Sequence, residues 1–589
     1  MDIFTMVVLR RRFEAIIGEM INALFKSGRS GVLNTAMDFS CSLTDSKFQS
    51  ISLAQGIPVH VGAIDLIPRT IAAKFGNDIQ KGDCFVNNSG YLGNTHCADF
   101  TVCAPVFIDD AIAFYVIARA HLGDMGFPTP TTYGPRSRDV YEEGLMLPCV
   151  RIQKDYKDVP EVIDICKANI RVPEQFYGDY LAVLAAVRTG EARLAALCDK
   201  YGADTVRGFV DAFQDYAERM ADQAIRALPK GKVSKESMYD SETELYPDGI
   251  PIRATLEVDP DAGMVTVDLR DNIDNLPLGI NMTQATTTAA CMTAVLNVLG
   301  PDVPRCTGSF RRVKLLLREG AAIGTPRFPA ATSAATTNLC HALIPHIQSM
   351  FADLRDDLGT AYGTIGLPGS CSVVSGADHR RGGAPFVNQV IMGYWGGPAL
   401  HGHDGWLTYG SGASQGILWQ SSVEVVEQQQ PVIVETLEVR EDSGGAGQWE
   451  GAPGAHCIIR PRQAPVRFMM TSASRQHPPA GVRGGHAGAP MLISRVTAAG
   501  EHVALPISAD ETLQPGERLL SEGCGGGGFG DPLDRDPAAV LAGFLAGRVS
   551  ARRAREIYGV VFADGGRDIT VDEAATSARR SHMREGTAV

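Results

Sequence analysis

The 589 residues include thirteen cysteines but no Cys-x-x-Cys pair and no dense cysteine spacing. Scattered thiols of this kind belong to a reduced compartment rather than to a disulfide frame, so a cytoplasmic protein is expected. Long apolar runs are missing too. The most apolar stretch, residues 285–300, carries three consecutive threonines and falls short of the roughly 20 residues that span a bilayer. The N-terminus turns basic only at Arg10, which inverts the basic-then-apolar order of a secretory signal. Positive charge is in deficit: 54 Lys+Arg against 67 Asp+Glu leave a net charge of −13. Neither nucleic acid nor an anionic membrane is therefore an expected partner. No GxxxxGK[ST] phosphate loop occurs, so any ATP used is bound outside such a loop. No repeat of fixed period is present, which excludes a solenoid.

Glycine is abundant, 63 residues or about 11% against a usual 7%, and concentrates in the second half. The pattern of elements predicts a mixed α+β chain. It reads as a large multidomain globule with a helical and β N-terminal half, a glycine-rich β-rich C-terminal half and short C-terminal helices. The boundaries drawn are 1–232, 233–365, 366–530 and 531–589. Phe13, Ile16, Ile17, Met20, Ile21 and Leu24 recur at helical spacing. Helices are expected over 180–200, stopped by Gly202, and over 204–228, stopped by Pro229, with 229–233 as a hinge. Alternation predicts a hairpin of 252–258 with 264–269, and a helix is expected over 286–299. Val432–Val439 reads as a strand. Asp536 with Pro537 and then Ser550 read as two helix starts, with Gly547 and Gly559 as stops.

The most informative segment runs from Asn87 through His96, Cys97 and Asp99 to a hairpin of 100–108 with 111–119 around Asp109-Asp110, ending at His121 and Asp124. Pairing about the two aspartates sets His121 opposite Ala98 at the open end, where cross-strand neighbours are about 5 Å apart. Strand parity gives His96 the same face. Asp99 joins them only if the strand begins after it or a bulge intervenes, so irregular backbone is expected between His96 and Phe100. Two imidazoles and a carboxylate beside a glycine-rich loop form a three-ligand set with open positions, as a catalytic divalent metal requires. The plain alternative is a solvated polar hairpin end. Asp124 is a further candidate, as ligand or as the acceptor that orients a histidine.

Three other motifs carry less. Gly523-Cys-Gly-Gly-Gly-Gly528 matches GxGxxG, but Phe529-Gly-Asp-Pro532 follows where a helix should open, so it reads as a tight turn. Gly412-Ala-Ser414-Gln-Gly416 matches the nucleophile elbow; amid so much glycine Ser414 reads as structural. His401-Gly-His403-Asp404 reads as an exposed turn, although its histidines could share a face.

The chain resembles the hydantoinase B/oxoprolinase family. The likeness rests on Asp38-Phe-Ser-Cys41, Ile57-Pro-Val-His60, Gly82-Asp83, Gly93-Asn-Thr-His96-x-x-Asp99, Ala118-Arg-Ala-His121, Asp442-Ser-Gly-Gly-Ala-Gly447 and Gly526-Gly-Gly-Phe-Gly-Asp-Pro532. Within it, Thr131-Thr-Tyr133, residues 138–144 and residues 170–179 look like the branch of acetone and acetophenone carboxylases. The resemblance implies a subunit of an ATP-dependent ketone carboxylase, acetophenone-type before acetone-type, converting ketone and bicarbonate to a 3-oxo acid. It also implies a divalent metal (Mn, Zn or Fe) on His96, Asp99 and His121. The implied partners are hydantoinase-A-like subunits that bind ATP and Mg, and a small additional subunit. The proton-abstracting residue is not identified. The alternatives are an ATP-dependent amide-ring hydrolase of hydantoinase or 5-oxoprolinase type and a non-catalytic scaffold subunit. The sequence departs from the family where Asn88-Ser89-Gly90 replaces the usual Asn-Asp-Pro.

Overall fold

The computed structural model describes residues 2–52, 56–393, 396–564 and 569–586. Helix α1 (Ile3–Ser27) opens at Asp2, whose carboxylate accepts the Thr5 N–H. Its apolar stripe from Leu9 to Leu24 packs against α2 (Pro173–Tyr201) and α3 (Ala203–Arg226). Gly202 separates α2 from α3 with φ of 84°, a conformation only glycine adopts cheaply. Beneath the helices lies an antiparallel sheet of β1 (Phe39–Asp45), β2 (Ser50–Ser52), β3 (Cys84–Asn87), β4 (Asp99–Ile108), β5 (Ala111–His121), β6 (Val150–Lys154) and β7 (Lys157–Asp158). Its strand order is β2-β1-β5-β4-β3-β6-β7, which buries the β4–β5 hairpin at the centre. Phe100, Val102, Val116 and Ala118 face the helices. On the other face Cys103, Tyr115 and Ile117 form a smaller apolar cluster.

Pro229 ends the helical run and β8 (Gly231–Tyr239) begins two residues later, so most of the expected hinge is strand. With β9 (Ile250–Asp259), β10 (Met264–Asp268) and β11 (Val313–Leu316) it forms a sheet of order β11-β10-β9-β8. The alternating β9–β10 pair is the expected hairpin. Helices α4 (Gln284–Leu299) and α5 (Leu339–Leu354) cover this sheet through a second core of Leu256, Val267, Val295, Leu343 and Ile347.

The glycine-rich part holds two further sheets. β12 (Val373–Asp378), β13 (Ala384–Gln389), β16 (Val466–Thr471) and β19 (Ser508–Leu513) make one. β14 (Val432–Val439), β15 (Ala455–Pro461), β17 (Leu492–Val496), β18 (His502–Ala504) and β20 (Arg518–Glu522) make the other. Gly523–Gly528 is not the tight turn expected. It is an extended buried segment whose N–H groups bond to Ala455, Ala489, Ala452, Tyr362 and His486 carbonyls. A Cβ at Gly525, Gly526, Gly527 or Gly528 would sit 1.7–2.1 Å from neighbouring carbonyl oxygens. Close backbone approach, not turn geometry, demands these glycines.

The tail carries helices Pro537–Leu545 and Ala551–Glu556, capped by Asp536 and Ser550 as expected. A ribbon of Phe562–Asp564 with Ile569–Val571 and a helix Glu573–Gly586 complete it. Among the described residues no helix is long and apolar enough to cross a membrane. All thirteen cysteines are free and buried.

Candidate metal centre

The hairpin turns at Asp109 and Asp110 with φ of 51° and 60°, the two-residue turn whose twist suits paired strands. Phe107 pairs with Ile112 as the sequence leads one to expect, but Val106 pairs with Phe114 and leaves Ala113 over as a bulge. Ala113 and Phe114 consequently both enter the helix-side core. Beyond the bulge the register is shifted by one, and Asp99, not Ala98, stands opposite His121. Ala98 belongs to the helix-side core. The strand begins at Asp99 itself, and irregular backbone is confined to a turn in which the Asp99 N–H bonds the His96 carbonyl at 3.2 Å. Asn94 holds that turn by donating to the carbonyls of His96 (2.7 Å) and Asp99 (2.8 Å).

The three side chains meet, fully buried. His96 Nε2 lies 3.2 Å from His121 Nδ1 and 3.1 Å from Asp99 Oδ1, and His121 Nδ1 lies 3.4 Å from Asp99 Oδ1. Ligand atoms bound at about 2.0–2.2 Å to one ion, at tetrahedral or octahedral angles, stand roughly 3–3.5 Å apart. The outer nitrogens fix the tautomers. His96 Nδ1 faces the Ser333 carbonyl at 2.7 Å and must carry the proton. Thr132 Oγ spends its only proton on the Leu122 carbonyl at 2.8 Å, so at 2.8 Å from His121 Nε2 it accepts. Both neutral rings then point bare nitrogens at one another and at Asp99 Oδ1, a buried oxygen with no hydrogen-bond donor among the described residues. Three lone pairs gathered in a low-dielectric interior call for a cation, and this donor set fits a divalent ion.

The Asp99 carboxylate makes this a pocket for positive charge, which a proton fills when no metal ion does. Burial works to raise the Asp99 carboxyl, but His60, His96 and His121 outweigh it and hold the group well below the usual carboxylate range. Burial likewise works to lower the His96 pKa, and the Asp99 carboxylate with the Ser333 carbonyl overturns that and raises it. Asp99 Oδ2 accepts from Thr95 Oγ and lies 3.5 Å from His60 Nε2. His60, on the one-turn helix Pro58–Val61, also stands 3.8 Å from Asp38 Oδ1 and 3.3 Å from Ser40 Oγ. Burial lowers the His60 pKa against the pull of both carboxylates. Arg119, 1% exposed, donates from Nε to Thr101 Oγ at 2.8 Å and from Nη1 to the His60 carbonyl. Tyr133 stacks on both imidazoles, with centroids 5.8 Å from His96 and 5.3 Å from His121. Glu143 clamps the Thr332 and Ser333 N–H groups, and burial pushes its carboxyl up to about 7 despite them.

A chamber of about 40 Å³ adjoins the centre, little more than the roughly 30 Å³ of one water. Asp38, His60, His121 and Tyr133 line one side, and His341, Ser411 and Ser414 line another. Ser414 Oγ is engaged in its own turn, accepting the Ser411 N–H at 3.0 Å. The hydroxyl that meets a histidine is Ser411, 3.0 Å from His341 Nε2. The Asp124 carboxylate is held by Arg171 Nη1 at 3.0 Å, the Arg171 N–H at 2.7 Å and the Gly126 N–H at 3.0 Å. The acceptor role considered for it is filled by Ser333 and Thr132. His401 and His403 are exposed, and Asp404 pairs with Arg535 at 2.7 Å, away from the centre.

Sequence reasoning passed over Asp38, His60, Arg119, Thr132 and Tyr133, although all lie inside the segments that carried the family resemblance. Arg119 and Thr101 were also reachable by parity, two residues inward from His121 and Asp99 on the same strand faces. Ser333, more than two hundred residues from the hairpin, gave no sequence signal.

Comparison with known proteins adds a lineage to this geometry. Residues 2–532 match the profile of the family described as hydantoinase B/oxoprolinase. The chain is similar to caprolactamase subunit beta of Pseudomonas jessenii, 28% identical over 590 residues that cover 98% of this chain and 99% of that one. It superposes on the crystal structure of the ATP-dependent caprolactamase from P. jessenii with a TM-score of 0.88 at 29% identity, covering 99% of this chain and 100% of that chain. The nucleotide-free structure of acetone carboxylase shares the fold, with a TM-score of 0.84 over 99% of this chain and 83% of that one at 17% identity.

Proposed function

The chain belongs to the hydantoinase B/oxoprolinase family, and from that premise we propose that it performs the carbonyl chemistry in an ATP-dependent complex, with His96, Asp99 and His121 holding a divalent ion. The observation that carries this reading is the meeting of two bare imidazole nitrogens and an undonated carboxylate oxygen within 3.1–3.4 Å of one another. Mn, Zn and Fe all suit such a set. An ion bound there supplies a Lewis acid that polarises a carbonyl oxygen or acidifies water. The chain's own residues do the rest. Ser333 and Thr132 keep the ligand nitrogens unprotonated, and Arg119 balances the Asp99 charge. Tyr133 and the small volume of the chamber limit water. Of the two chamber-wall imidazoles outside the ligand set, His60 and His341, the one beside the Asp99 carboxylate is His60, which is placed to take or return a proton at Nε2.

Two reactions use this equipment. Opening of a cyclic amide is favoured by the likeness to caprolactamase, which extends over the whole chain at 28–29% identity. Carboxylation of a ketone of acetophenone type with bicarbonate is favoured by the segments 131–133, 138–144 and 170–179, and it moves to second place. In either case ATP and Mg belong to a hydantoinase-A-like partner, with a small further subunit beside it. The N–H groups of Gly523 and of Gly525–Gly528 are spent on carbonyls and offer no phosphate cradle.

Copurification of the tagged chain with its untagged partners supplies the complex for the test. ATP-dependent loss of a cyclic amide that ignores bicarbonate supports the first reading. Ketone consumption that requires bicarbonate establishes the second. Substrate-dependent ATP hydrolysis by the isolated chain would refute the division of labour.

A further inference from the structure

A second cavity, of about 400 Å³, lies beyond one wall of the chamber. That volume is in the range of small-molecule sites. The wall between the two is thin. Gly56 and Pro58 line the larger cavity while Ile57 and Val59 line the chamber, and Gln415 and Ile417 line the former while Ser414 and Leu418 line the latter. The larger cavity is walled by Phe13, Phe209, Phe213, Phe310, Met292 and Leu296. In this apolar lining stands Arg305, half-buried, with one guanidinium nitrogen donating to Asn297 Oδ1 at 2.8 Å. Among the described residues no carboxylate pairs with it, and burial alone lowers its pKa. The other charges on the cavity wall, Arg10 and Glu14, already pair at 3.0 Å.

A guanidinium withdrawn from water without a counter-ion is costly, and an anionic ligand relieves that cost. Carboxylation of a ketone with bicarbonate ends in a carboxylate on an apolar body, and opening of a cyclic amide ends in a carboxylate joined by an apolar chain to an ammonium. We propose that this cavity binds a small carboxylate with an apolar body, its carboxylate on Arg305 and its ring or chain against the phenylalanines. It is thus a seat for the product near the metal centre, since the chamber between them has room for little more than a water. The assignment of product, though not of ligand chemistry, rests on the metal centre being the reaction site.

The test is calorimetric titration of benzoate, neutral benzamide and phenyl phosphate into the full chain with its partners. Wild type is compared with Arg305→Gln, Arg305→Lys and His121→Ala, each checked by circular dichroism. Benzoate is expected to bind at least tenfold tighter than benzamide, to fall to the benzamide level in R305Q, and to recover most of its affinity in R305K. His121→Ala should abolish turnover and leave benzoate binding intact, which separates failure of this proposal from failure of the metal reading. Equal binding of benzoate and benzamide, unchanged benzoate affinity in R305Q, loss of benzoate binding in H121A, or tenfold preference for phenyl phosphate would each overturn it.

Discussion

At the scale of single residues, two oxygen atoms decide what the histidines are. The Ser333 carbonyl and the Thr132 hydroxyl take the outer protons, and only then are the inner nitrogens free to bind a cation. Thr132→Val keeps the shape and removes that acceptor. Metal affinity should fall about 10–100-fold, read by competition with a chromophoric chelator, while the fold loses about 1–3 kcal/mol because the Leu122 carbonyl and the His121 Nε2–H are left buried without a partner. Asp99→Asn preserves volume but removes the charge, so elemental analysis should find a depleted ion; full occupancy in this variant would argue against the centre. Glu143 makes a pH-dependent contribution. Its carboxyl titrates near 4.5 when exposed and is pushed up to about 7 here, so the fold favours the protonated form. The associated stability is present below about 4.5 and lost as pH rises through 7, at most about 3 kcal/mol. Glu143→Gln keeps the oxygen that accepts from Thr332 and Ser333. It should flatten part of the decline in melting temperature between pH 5 and 8; Glu242, also pushed up to about 7, would maintain the remainder.

At the scale of elements, the hairpin is the device that assembles the centre. Its alternating pattern and Asp109-Asp110 turn were legible in the sequence, because period and turn chemistry are local. The bulge at Ala113 was not. Nothing in the composition of Ile112-Ala113-Phe114 announces an unpaired residue; the shift is settled by which side chains the helices α1 and α2 and the opposite apolar cluster will each accept. One residue of shift exchanges Ala98 for Asp99 opposite His121, and with it the chemistry of the site. Both turn residues sit at positive φ, so Asp109→Asn with Asp110→Gly should stabilise the hairpin by about 0.5–1 kcal/mol. Hydrogen exchange of β4 and β5 amides that open through the turn should slow by roughly two- to fivefold. Unchanged exchange would show that the hairpin opens only with the whole sheet.

At the scale of the molecule, the centre belongs to no single stretch of chain. Asp99 and His121 come from one sheet and His96 from the turn leading into it, the Ser333 carbonyl from the segment before α5, and the far chamber wall from 411–418. A fragment of residues 1–232 contains all three ligands and lacks the acceptor for His96. It should therefore fail to retain the ion that the full chain holds, as elemental analysis of the two side by side would read. Retention of a stoichiometric ion by the fragment would mean that the ligands alone suffice and that Ser333 is incidental.

By itself the sequence determined the long helices, the central hairpin, the strand at Val432–Val439, the capped tail helices and the identity of His96, Asp99 and His121 as a set that could meet. Each follows from apolar period, capping and turn residues, or from motif spacing, all of which act over a few residues. Only the tertiary structure decided the register that levels Asp99 with His121, the proton positions on the imidazoles, the burial that perturbs Glu143 and Asp99, and the use of Gly523–Gly528 as packed backbone rather than a turn. Those outcomes depend on atoms far apart in the chain brought into hydrogen-bonding contact, where desolvation and pairing are settled by whichever neighbours the packed core supplies.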